Sequence, residues 1–99
     1  MALSIIYKKQ FFKSLHKVLQ YLEKEWGHEI ALAFLSKIDK RTNLLKQQPF
    51  VGIASSKVKN VRGILITKHN KLYYKVSSNL VIVLNMYDTR INPTSNPYK

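Results

Sequence analysis

Leu80-Val-Ile-Val-Leu84 is an unbroken aliphatic run, preceded by Ser78-Asn79 and followed by a polar stretch that reaches Asp88. A β-branched run of this kind has no polar face to offer water. It therefore belongs inside a sheet or beneath cover on both faces. The rest of the chain must supply its strand neighbours and a layer to shield it. Lys71 to Ser77 is a strand immediately upstream, joined to the run through Ser78-Asn79, which has the form of a two-residue hairpin turn. Lys57 to Thr67 reads as a further strand, with Gly63 as a bulge position and Lys68-His69-Asn70 as the turn that follows. Leu3 to Tyr7 is short and β-favouring, which suits an edge.

The shielding layer is helical. From about Lys9 to Glu25, Phe11, Leu15, Val18, Leu22 and Trp26 recur at spacings of three and four, and Phe12 and Leu19 widen the stripe. Lys13, Lys17, Gln20 and Lys24 fill the other face. No residue before this segment is a good N-cap, and Gly27 is a natural stop. A second helix is predicted from about His28 to Gln47. Ile30, Phe34, Ile38 and Leu45 form its stripe, with Ala31, Ala33 and Leu35 beside them. Glu29 and Lys46 sit at the ends that the helix dipole favours, and Pro49 ends the segment. Phe50 to Ser56 reads as a loop. The order strand, helix, helix, strand, strand, strand predicts an α+β fold, with a helical hairpin on one face of a largely antiparallel four-stranded sheet. With 99 residues, the chain is expected to form a single domain spanning 1–99, irregular from about 88 onward.

Charge narrows the function. Lys and Arg total 17 against 5 Asp and Glu, a formal net charge of +12. Such an excess repels itself in a compact chain and is useful where it meets an anion: nucleic acid, an acidic protein or a membrane surface. There is no cysteine, hence no disulfide and no thiolate chemistry. His16, His28 and His69 lack metal-ligand spacing, and Gly27, Gly52 and Gly63 are too scattered for a phosphate-cradling loop. Neither a metal nor a cofactor is expected. No run approaches the length of a membrane span, and the basic residues follow the first apolar segment rather than precede it. A cytoplasmic location is the expectation.

What remains is a basic and aromatic set. Lys57, Lys59, Arg62, Lys68, Lys71, Lys75 and Arg90 lie on or just beyond the strand half, interleaved with Tyr73, Tyr74, Tyr87 and Tyr98. Cations neutralise phosphates, and tyrosine rings stack on exposed bases. Alternation puts Leu72, Tyr74 and Val76 on one face and Lys71, Tyr73 and Lys75 on the other, which is expected to be open. A strand lysine is ordinarily solvated, and Tyr74 and Tyr87 are expected to pack.

Lys71-Leu-Tyr-Tyr-Lys-Val76, a short polar turn, Leu80-Val-Ile-Val-Leu84 and then Asp88-Thr-Arg-Ile-Asn-Pro93 resemble the closing hairpin and tail of the RelE/ParE superfamily of type II toxins. The helical hairpin ahead of them fits the family order. The resemblance implies a toxin neutralised by a small acidic antitoxin. It also implies one of two actions. RelE-like members cleave mRNA on the ribosome without a metal, whereas ParE-like members inhibit DNA gyrase without such chemistry. On the RelE-like reading, Arg62, Lys71 and Arg90 hold the scissile phosphate, and Tyr98 or Tyr87 transfers the proton. Lys57, Lys59, Lys68, Tyr73 and Lys75 would bind the RNA. Ile64 stands where a second family lysine is expected, and Lys75 replaces an arginine, losing its planar fork. The ribonuclease is the leading expectation, the gyrase inhibitor the first alternative, and an inactive basic binding module the second.

Overall fold

The computed structural model describes residues 3–90 and 96–98. The elements are β1 (Ser4–Tyr7), α1 (Lys9–Trp26), α2 (His28–Gln47), β2 (Ile53–Ala54), β3 (Val61–Thr67), β4 (Asn70–Ser77) and β5 (Leu80–Asp88). They form the expected α+β arrangement, two helices on a mostly antiparallel sheet in the order β1-β5-β4-β3-β2. The sheet has five strands rather than four. The added strand, β2, arises within the segment expected to be a loop, where Ile53 and Ala54 pair with Gly63 and Arg62. β1 is an edge strand as expected, and it runs parallel to β5.

The aliphatic run is interior, with β1 on one side and β4 on the other. Val81 and Val83 point into the core and are fully buried. Leu80, Ile82 and Leu84 are half-buried on the far face. Ile66, Leu72, Tyr74 and Met86 join the two valines beneath Phe11, Phe34, Ile38 and Leu45 of the helices.

Gly27 joins the helices at φ +96°, a backbone angle that L side chains rarely adopt. Its N–H donates to the Glu23 carbonyl, and its own carbonyl accepts from Ala31. Lys8 precedes α1 without a side-chain cap. Two members of the predicted α1 stripe are not core. Phe12 is 53% exposed and Trp26 66% exposed. Phe12 lies at the stripe's flank, against the rings of Tyr7 and Phe11, and Trp26 is the last residue before the turn. Thr42, by contrast, is buried in α2, its hydroxyl donating to the Asp39 carbonyl.

Two strand details differ from expectation. β3 begins at Val61, not Lys57, because Ser55 organises a turn first: its Oγ accepts from the N–H groups of Lys57 and Val58. The sheet irregularities fall between Leu65 and Thr67 and between Tyr73 and Tyr74, not at Gly63. Gly63 instead permits close approach. A Cβ there would lie 2.5 Å from Lys71 Cε and 3.1 Å from the Tyr73 ring.

Candidate functional site

Cross-strand partners share a face of a sheet, so register decides which side chains can meet. Gly63 pairs with Tyr73, Leu65 with Lys71, and Lys71 in turn with Tyr87. These residues face away from the helices. Lys75 shares that face one pleat further along and is exposed. Arg62 pairs with Tyr74 and lies on the opposite, helix-covered face.

On the face away from the helices, three tyrosines gather. The Tyr73 and Tyr98 ring centroids are 4.9 Å apart, and Tyr87 stands edge-on to both at 6.1 Å. The Lys71 ammonium lies 5.6 Å from the Tyr73 ring centroid, a favourable cation–π placement. Asn96 holds the outer ring in place. Its amide donates to the Tyr73 hydroxyl at 3.1 Å, and its oxygen accepts from the Tyr98 N–H at 3.0 Å. Ser55 Oγ donates to the Tyr98 carbonyl. Asn85 donates to the Tyr87 hydroxyl and accepts from Ser14 of α1 at 2.6 Å. This cover leaves Tyr73 3% exposed, although alternation alone placed it on an open face.

Burial, and secondarily the neighbouring Tyr87, raises the Tyr98 pKa above its ordinary value. Tyr98 is therefore a neutral phenol at physiological pH, able to donate a proton in a hydrogen bond but poorly suited to accept one as a base. Among the described residues, no carboxylate or imidazole hydrogen-bonds into this cluster.

The three cations expected to share a phosphate occupy three different environments. Arg62 donates to the carbonyls of Gly52 (2.8 Å) and Phe50 (3.3 Å), and its guanidinium lies over the Phe50 ring at 5.2 Å. Those carbonyls belong to a loop that buried Tyr74 also ties down. The Tyr74 hydroxyl accepts from Gly52 N–H and donates to Pro49 O. Lys71 is with the tyrosines. Arg90 lies past the end of β5, in a bidentate pair with Asp88 at 2.9 and 2.6 Å. The side-chain hydrogen bonds from Arg90 are the main reason that the Asp88 carboxyl is lowered to about 2. Arg90 borders a groove of about 740 Å³ that also contains Lys17, Tyr21, Trp26, Ile30 and His69.

Of the expected nucleic-acid ligands, Lys57 and Lys59 lie in the turn before β3 and Lys68 in the turn after it, so the length of that strand separates them. The structure thus brings together Lys71, Tyr73, Tyr87 and Tyr98. It does not bring Arg62 or Arg90 to them. Ile91 to Pro93, the end of the tail motif, lie outside the described residues. Sequence reasoning missed Asn96, Asn85 and Arg41, whose Nε donates to the Leu65 carbonyl at the free edge of β3. Asn85 carries a signal, since it interrupts the apolar run of β5. Asn96 carries none, since it lies among other turn-forming residues.

Residues 5–93 match the family model described as the ParE toxin of the type II toxin–antitoxin system parDE. Comparison with curated protein sequences gives no match. Among solved structures, the chain is similar to one from the chromosomal ParDE system of P. aeruginosa. The TM-score is 0.74 at 19% identity, covering 88% of this chain and 96% of that one. It is also similar to a chain of the Mycobacterium tuberculosis RelBE2 toxin–antitoxin complex, with TM-score 0.61, 14% identity and coverage of 89% and 99%. For the Staphylococcus aureus YoeB dimer the values are 0.59, 14%, 92% and 100%. At these identities the solved structures speak to the fold alone, and the family rests on the model match across nearly the whole chain. The chain belongs to the ParE toxin family of type II toxin–antitoxin systems.

Proposed function

We propose that this toxin acts by occupying its target rather than by cutting RNA, and that the target is DNA gyrase, as its ParE membership suggests. The observation that carries this reading is the commitment of two of the three candidate phosphate-binding cations elsewhere. Metal-free cleavage through a ribose 2′-hydroxyl needs cations converging on one phosphorane, with a donor and a base within hydrogen-bond reach. Arg62 is spent on loop carbonyls across the sheet, and Arg90 is neutralised by Asp88. A small acidic antitoxin is its proposed partner, and the cytoplasm is where both would meet it.

A second reading has its own support. Lys71, with Tyr73, Tyr87 and Tyr98, offers an ammonium and a neutral phenol on one face. Ribosome-dependent cleavage would then centre on Lys71 and Tyr98. The two readings separate when purified toxin is added in parallel to a translating extract and to a gyrase supercoiling assay. Inhibited supercoiling with intact mRNA is the expected result. Cleaved mRNA with normal supercoiling would overturn the proposal, and loss of that cleavage in Lys71→Met would establish the alternative.

A further inference from the structure

We infer that the outer ridge of α1 is a contact surface for the phosphate backbone of duplex DNA, separate from the tyrosine cluster and independent of what the toxin inhibits. At 3.6 residues per turn, Lys9, Lys13, Lys17 and Lys24 fall within a wedge of about 80°. They lie opposite Phe11, Val18 and Leu22, which face the core. Gln20 is the other residue of the wedge and His16 lies just outside it, and all six side chains are exposed. The ridge from Lys9 to Lys24 is about 22 Å long, with the first three lysines about 6 Å apart. Among the described residues the ion pairs are His28 with Glu23 and Arg90 with Asp88, so none of these lysines is paired. Glu23 flanks the far end of the wedge and is engaged by His28.

The composition of the ridge selects the partner. A protein interface has an apolar or aromatic core depleted in lysine, and this wedge has no apolar residue at all. Single-stranded nucleic acid is held by aromatic platforms as well as charge, and the nearest aromatic side chains, Phe12 and Tyr21, lie on the flanks. Flexible point charges at one-turn spacing, with nothing to read a base, match a duplex backbone. Duplex DNA presents about one negative charge per 1.7 Å of axis.

Binding of a fluorescein-labelled mixed-sequence 20-base-pair duplex, followed by anisotropy as a function of salt, tests this. Four phosphate contacts give a slope of log K against log salt of about −3.6, or about 150-fold weaker binding at 200 mM than at 50 mM. Replacing three lysines in K9Q/K13Q/K17Q should bring the slope to about −0.9. A second variant, K57Q/K59Q/K68Q, removes the same net charge from the strand side and should keep most of the wild-type slope. Circular dichroism verifies that both variants are folded. Equal slopes in the two variants would mean that total charge, not the ridge, drives binding and would overturn the inference. So would tighter binding of a single-stranded RNA of equal length than of the duplex.

Discussion

Tyr74→Phe removes one oxygen from the centre of the molecule, and the structure says what that oxygen holds. Its two partners, Gly52 N–H and Pro49 O, lie 2.9 and 2.8 Å away. Tyr74 is fully buried and Gly52 is buried, so the amide has no water to turn to. Stranding a buried donor costs about 1–3 kcal/mol, and losing the bond to the half-buried Pro49 carbonyl costs about 0.5–1 more. The expected loss is about 2–3 kcal/mol. For a domain of this size that lowers Tm by roughly 10–20 °C. Urea denaturation of wild type and variant measures the difference directly. Arg62→Met should cost about 1 kcal/mol by freeing the Gly52 and Phe50 carbonyls. The double variant should be non-additive, because both side chains hold the same loop. A Tyr74→Phe variant within about 0.5 kcal/mol of wild type would refute the reasoning, since the margin is smaller than any stranded buried amide permits. The same result bears on function: loss of toxicity in an Arg62 variant has to be corrected for loss of folded protein.

Two further perturbations follow from the same geometry. Asp88 is lowered from 3.8 to about 2 in the folded chain, so its pairing with Arg90 stabilises fully above pH 4 and is lost as the pH falls toward 2. Solvent screens this surface pair and makes its contribution small, so Asp88→Asn should slightly flatten the fall of the urea midpoint over that window; an unaltered pH profile would count against the pairing. Asn96→Ala should cost about 1 kcal/mol and speed chemical modification of Tyr73 while leaving Tyr74 protected; unchanged reactivity of Tyr73 would mean that Asn96 does not hold the cover in place.

Elements were legible where a local pattern reports a local force. The spacing of Phe11, Leu15, Val18 and Leu22 gives α1, Gly27 marks the turn, and Leu80 to Leu84 declares an interior strand. What escaped depends on partners distant in the chain. Tyr73 reads as an exposed strand residue because nothing in Lys71 to Ser77 reveals that Asn96 and Tyr98 will cover it. Ile53 and Ala54 are too few to show periodicity, and they become a strand only because β3 presents an edge. For the candidate site, alternation separated Lys71 and Tyr73 from Tyr74 correctly. It left the facing of Arg62 open, because Val61, Ile64, Leu65 and Ile66 break the alternation of polar and apolar positions along β3. Only the register against Tyr74 settles that facing.

The pairing of β1 with β5 joins Ser4–Tyr7 to residues Leu80–Val83. During synthesis the first strand therefore emerges with no neighbour and waits for nearly the whole chain to follow. Its hydrogen bonds, and the floor they complete beneath α1, form only after the final hairpin has left the ribosome. A nascent chain stalled before Leu80 thus lacks the strand against which β1 pairs and is an unfinished fold.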